Sequence, residues 1–286
     1  MVGAGFYSFP AKSGLKNAGG EGVTWIKRNY KIILLTVLFS VVSSLFFAFQ
    51  VHPGFVENNS AGAAVHAFFF IESNDDLSLS ITISAMMFVP LIPLLGVFKR
   101  DYGTELWYCI TRYRSRKSWF FKKTGSVLFL SFVSTAVYFV TISAVMVSRG
   151  VLSLGFFGKS VSLFLWFFAL RFFFTAFFAL LLNVVSIAVK LRYIVAIGVI
   201  LVLGSGMASV AELKLGFSNS INPYVHATYY FHAQTVEFER STVDPYIFEN
   251  ITLEKSAVYF VLCIALILLA GMILNDRLDI GILEEE

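Results

Sequence analysis

Four histidines, two cysteines and one arginine embedded in an apolar run are the residues of this chain whose types invite chemistry. His52, His66, His226 and His232 all fall between the long apolar runs, in stretches expected to be outer loops. His226 and His232 stand six residues apart, which puts them on neither a common helical face nor a common strand face, so they do not read as a metal-ligand pair. No HExxH, GxSxG or paired CxxC occurs, and no catalytic residue and no metal site are expected. Cys109 and Cys263 cannot build a disulfide framework, since one falls in a basic loop and the other inside an apolar run. SLGFFGKS at Ser153–Ser160 approaches the phosphate-cradling GxxxxGKS loop, but Ser153 stands where the first glycine belongs and an apolar run follows. Nucleotide binding by that route is not expected. Asn58 and Asn250 begin glycosylation triplets by pattern.

Arg171 is the one charge well inside an apolar run, and no Asp or Glu shares any run with it. Burying such a charge costs a few kcal/mol or more, so it should face protein or water. A negative group of a substrate, a partner subunit, backbone carbonyls, or snorkelling to the interface would each answer that need. Arg171 is thus a candidate substrate-path residue.

The second chemically loaded stretch is residues 99–123, KRDYGTELWYCITRYRSRKSWFFKK, with eight cations and two acids interleaved with aromatics. Gly103 gives the backbone freedom to turn, and Thr104 after it suits a helix start. From there Leu106, Ile110, Tyr113, Trp119 and Phe120 recur at roughly helical spacing between Arg112, Arg114, Arg116 and Lys117. A short amphipathic helix is the expected result. Such an element either lies on anionic headgroups or inserts into a groove of a partner protein.

Positioning these residues falls to elements set by composition. The chain has 286 residues, 57% of them apolar and only 14% charged, against about 25% charged in a soluble domain. It is too poor in charge to cover a water-facing surface, which excludes disorder, a secreted disulfide scaffold and an ordinary soluble enzyme. A bilayer core about 30 Å thick needs about 20 apolar residues, and six runs supply them: Ile32–Val51, Ser80–Phe98, Thr124–Val147, Ser160–Val189, Tyr193–Ala211 and Ser256–Leu274. The runs are continuous, without the alternation of a membrane barrel, so the expected fold is an all-α integral membrane protein with six transmembrane helices in a single domain. Of the 22 cations, 16 fall on the side of residues 1–31 and 99–123 and five on the other, Arg149, Lys159, Lys214, Arg240 and Lys255. Cationic loops stay inside, so both termini are expected to be cytoplasmic and residues 212–255 to form a long outer loop between spans five and six. No cleavable leader is expected before the first run. Gly22–Lys31 reads as either a short interfacial helix or a basic flank with an anchoring Trp25.

The loop also carries a resemblance. Arg100–Asp101, Gly103–Thr104, Glu105 and Leu106 with the aliphatics that follow, then Thr111–Arg112, Arg114, Ser115–Arg116 and Lys123, resemble the signature of ABC-2 type ABC transporter permeases. That family places an acidic residue, Gly-Thr, aliphatics, a proline turn, Ser-Arg and a downstream Lys between spans two and three; here Thr111–Arg114 stands where the proline turn would be. Asn222–Pro223–Tyr224, ahead of an aromatic segment, resembles the Asn-Pro that often follows span five in these permeases, where re-entrant outer helices form. A plain outer loop with interfacial tyrosines is the other reading of residues 212–255.

The resemblance implies a membrane subunit of an ATP-driven exporter, without catalytic chemistry of its own and multi-pass in the cytoplasmic membrane. Residues 100–116 would form the coupling helix. It would dock on one of two separate cytosolic ABC ATPase subunits, which alone would hold ATP and Mg. A second permease copy or a related permease would complete the pathway, membrane lipids would surround it, and nucleic acid would have no part. The implied cargo is amphiphilic: an antimicrobial or toxin-like peptide, a drug or a lipid-linked molecule. The alternative from another class is an ATPase-independent secondary transporter or sensor whose basic loop binds anionic lipid. An intramembrane enzyme would need a nucleophile and base at matching depth, and the runs hold no His, Asp or Glu.

Overall fold

The computed structural model describes residues 18–50, 64, 67–68, 77–99, 115–215, 220–228, 232 and 250–277. Among them the chain is helical and no strand occurs. The elements are α1 (Ala18–Gln50), α2 (Leu77–Phe88) passing into a 3-10 turn at Val89–Leu94, α3 (Arg116–Ser148), α4 (Leu154–Lys159), α5 (Val161–Ala188), α6 (Leu191–Lys214), α7 (Pro223–Ala227) and α8 (Leu253–Arg277). Five helices hold apolar stretches of membrane-crossing length: Asn29–Phe49, Arg116–Ser148, Val161–Ala188, Arg192–Glu212 and Leu253–Asp276. The shortest, at 21 residues, reaches about 31 Å at 1.5 Å per residue, the thickness of a hydrocarbon core. Their outward faces expose large apolar side chains such as Leu34, Leu38, Leu165, Leu262 and Leu266, as lipid contact requires. This is a helical multi-pass membrane protein.

Water cannot drive helices together inside lipid, so close contact and hydrogen bonds must do so. The buried stripe of α1 is accordingly small and polar: Thr36, Ser40, Ser43 and Ser44 face inward. The Ser40 and Ser134 hydroxyls meet at 2.8 Å between α1 and α3, and Ser43 donates to the Met86 carbonyl at 2.8 Å toward α2. Glycine does the same where α8 crosses α3 and α5. A Cβ on Gly271 would lie 2.7 Å from Phe120 Cζ and 2.8 Å from Val184 Cγ2.

Three elements differ from the sequence reading. α1 runs unbroken from Ala18, so Gly22–Lys31 is continuous with the first long helix. The run Ser80–Phe98 is not one regular helix: α2 stops at Phe88 and gives way to the 3-10 turn, because Pro90 and Pro93 lack the N–H that an α-helix needs. The third long helix begins eight residues before Thr124, at Arg116, where Ser115 caps it by accepting from the Ser118 N–H at 3.1 Å. Arg116–Lys123 is therefore helix and not loop. Trp119 and Phe120, expected on a projecting amphipathic helix, are buried in edge-to-face contact with Phe98.

Candidate functional site

Two regions at opposite ends of the helices collect the polar contacts. At the first, Lys99 follows the broken second run, and its Nζ donates to the Val189 carbonyl at the end of α5, 2.9 Å away. Arg116, opening α3, reaches the Asn275 carbonyl near the end of α8 at 3.5 Å, and Lys117 lies 3.7 Å from Asp276 in an exposed pair of small energetic weight. Both ends of the stretch 100–114 are thus fastened to other helices. Of the expected coupling residues, Ser115 and Arg116 are described. Arg100, Asp101, Gly103, Thr104, Glu105, Leu106, Thr111, Arg112 and Arg114 lie outside the described residues.

The opposite half of the bundle holds Arg171. It sits ten residues into α5, about 15 Å from the helix start, and is only 4% exposed. Its guanidinium lies 4.3 Å from the Tyr138 ring centroid and 5.8 Å from that of Phe47. Nη1 and Nη2 are both buried, with no hydrogen-bond partner among the described residues. The Tyr138 hydroxyl is already committed, donating to the Phe68 carbonyl at 2.8 Å. Ring contacts are worth about 0.5–2 kcal/mol, and an unpaired buried charge costs more than that. The open donors of Arg171 therefore suit an anionic group.

The Asn222–Pro223–Tyr224 segment packs toward this arginine. Asn222 Oδ1 caps α7 by accepting from the Tyr224 N–H at 3.0 Å, and Pro223 occupies the first helical position, where its missing N–H costs nothing. The Asn222 amide donates to the Ser205 carbonyl at 2.7 Å. Ser205 is nine residues before the end of α6, so α7 is seated about 14 Å below that end. Tyr224 is buried beside Ser84 and within the field of Arg171, and burial pushes its phenol well above the usual range. Sequence reading named Arg171 and Tyr224 separately; the fold puts them together.

One cluster escaped the sequence. The Ser256 hydroxyl, in the first turn of α8, lies 2.8 Å from His226 Nδ1 and 2.8 Å from His232 Nε2. His226 Nε2 faces the Ser220 carbonyl at 2.9 Å, and His232 Nδ1 faces the Thr228 carbonyl at 3.0 Å. The His226 ring stacks on Tyr259, centroids 4.1 Å apart. Burial lowers the His226 pKa below that of free imidazole, partly offset by its bond to Ser220. The six-residue spacing hid this pair, because neither helix nor strand periodicity relates its members. A serine on another helix does. Among the described residues no group of three or more His, Cys, Asp or Glu side chains could hold a metal.

No family model, no curated protein and no solved structure matches this chain.

Proposed function

We propose that the chain is the transmembrane permease subunit of an ABC-type exporter. Ser80–Phe98 is then the sixth crossing, with the termini and residues 99–123 in the cytoplasm and residues 212–255 outside. The observation that carries this reading is the double attachment of the basic loop, Lys99 to Val189 and Arg116 to Asn275. A loop held at both ends by α5, which carries Arg171, and by α8, which packs along α5, passes an imposed movement to both helices. A loop that merely rested on headgroups would have no need of it. Two separate ATPases docking on residues 100–116 would close on ATP, move these loops, and switch the pathway between its two openings, a rigid-body coupling of packed helices.

Arg171 gives the cargo a chemistry. An amphiphile with a carboxylate or phosphate would place that anion on the two free guanidinium nitrogens, against the rings of Phe47 and Tyr138. The test is export from inverted membrane vesicles carrying this chain and its ATPase. The account expects ATP-dependent uptake of an anionic amphiphile, lost on charge reversal at Arg112, Arg114 and Arg116. Uptake indifferent to ATP and to those reversals, with the loop binding anionic lipid, would favour the ATPase-independent alternative.

A further inference from the structure

Arg171 keeps its charge in every state of the chain, because a guanidinium does not give up its proton in a protein. It is buried, and the apolar runs around it hold no Asp or Glu. The groups whose charge acts on it are two phenols, those of Tyr138 and Tyr224. Tyr138 turns its ring to the guanidinium and commits its hydrogen to the Phe68 carbonyl. Nη1 and Nη2, the forked end of the side chain, meet no acceptor among the described residues. A cargo anion answers this charge only while cargo is bound. The charge needs an answer the rest of the time as well.

The enclosure selects the kind of ion. Phe47 from α1, Tyr138 from α3 and Tyr224 from α7 close on the guanidinium from three elements besides its own helix. An amphiphile must part these helices to bring its head to Arg171, whereas a compact ion carries no tail. Its charge must be single. A doubly charged ion would replace one unbalanced buried charge by another of opposite sign. It must also shed water cheaply, as the weakly hydrated guanidinium does.

We propose that Arg171 holds a small monovalent anion, chloride, in the absence of cargo, and that the anion of the cargo takes its place. This rests on the reading of Arg171 as the cargo-anion site and adds its regulation. Cargo binds by exchange, one negative charge for another, so the bundle gains no net charge. Rising chloride therefore weakens the apparent affinity for cargo. Bromide and nitrate, which are less hydrated, should fit at least as well as chloride. Sulfate should not.

The experiment adds chloride to the full chain in an uncharged detergent and gluconate buffer, and reads the chlorine-35 line width. The expected result is a broadening that grows with the amount of chain and is removed by bromide or nitrate but not by equal ionic strength of sulfate. Arg171→Met should weaken the chloride affinity by about 10- to 100-fold. Lys159→Gln, which removes an exposed cation of α4, should leave it unchanged. The unfolding midpoint of the unsubstituted chain should rise with chloride, and that of Arg171→Met should not. Laurate, a monovalent amphiphile, should narrow the line by displacing the ion. No broadening, broadening that survives Arg171→Met or yields equally to sulfate, or chloride that stays while laurate binds would overturn the proposal. The cargo reading fails by a different result: laurate that does not bind at Arg171 even with chloride withheld.

Discussion

The side-chain oxygen of Asn183 accepts from the backbone N–H of Phe98 at 3.1 Å, across 85 residues of sequence. Its amide donates to the Leu94 carbonyl at 2.8 Å and to Ala179 in its own helix at 2.7 Å. One fully buried asparagine on α5 thereby answers the backbone groups that the broken second run leaves open. Irregular backbone survives at membrane depth only when protein satisfies it. Asn183→Leu should therefore destabilise the chain by about 1–3 kcal/mol for each orphaned group, read as a lower midpoint in detergent-induced unfolding. An unchanged midpoint would mean the break is held by other contacts.

Lys99 does for the loop what Asn183 does for the break. Lys99→Met keeps the aliphatic stem and removes the bond to Val189. The permease reading expects the ATPase partner to remain bound while ATP-driven transport falls about 5- to 150-fold, the usual span of a coupling free energy of 1–3 kcal/mol. Transport assays beside a pull-down check this. Full transport would separate the clamp from coupling.

Arg171→Met reverses the usual relation between mutation and stability. Removing an unpaired buried charge relieves a penalty and forfeits only ring contacts, so the unfolding midpoint should hold or rise. Binding of an anionic amphiphile should weaken by about 10- to 100-fold, since a charged hydrogen bond is worth about 1.5–3 kcal/mol. A loss of fold with binding intact would make Arg171 structural.

Tyr224 sets the pH behaviour of that anion site. A raised phenol pKa keeps the group neutral until the solution is more alkaline than its usual titration, so no phenolate competes for Arg171 at physiological pH. Anion affinity, followed by ligand fluorescence, should stay level from about pH 7 to pH 9. A decline across that window, absent in Tyr224→Phe, would show the phenolate forming.

Gly271→Val tests the packing of α8. Its added carbon would meet Phe120 and Val184 inside van der Waals distance, and overpacking of this kind costs about 1–3 kcal/mol. Thermal unfolding in detergent should show the loss, and a silent substitution would mean that the three helices separate freely.

The long apolar runs were legible because every residue of a crossing helix contributes to the same signal. The break at Pro90 and Pro93 passed unread because Ser80–Phe98 stays apolar through it, and its repair by Asn183 did not show either, since the partner lies on a helix about 90 residues away. The start of α3 was misplaced because Arg116–Lys123 is rich in cations, which hydropathy counts as loop; the Ser115 cap and the burial of Trp119 and Phe120 outweigh that charge. Arg171 stood out as a lone charge. Its neighbours Tyr138, Phe47 and Tyr224 come from three other elements, and nothing in their spacing announces the meeting.

The central claim is that separate ATPases drive this chain through residues 100–116. Purification of the tagged full chain from its native membranes in mild detergent, with its companions sequenced, tests it most directly. The account predicts a stoichiometric chain bearing a phosphate-binding GxxxxGK[ST] loop, released when Arg112, Arg114 and Arg116 are reversed to Glu while the permease stays folded. A chain that purifies without any nucleotide-binding partner, or one whose partner stays bound after the reversals, would contradict it.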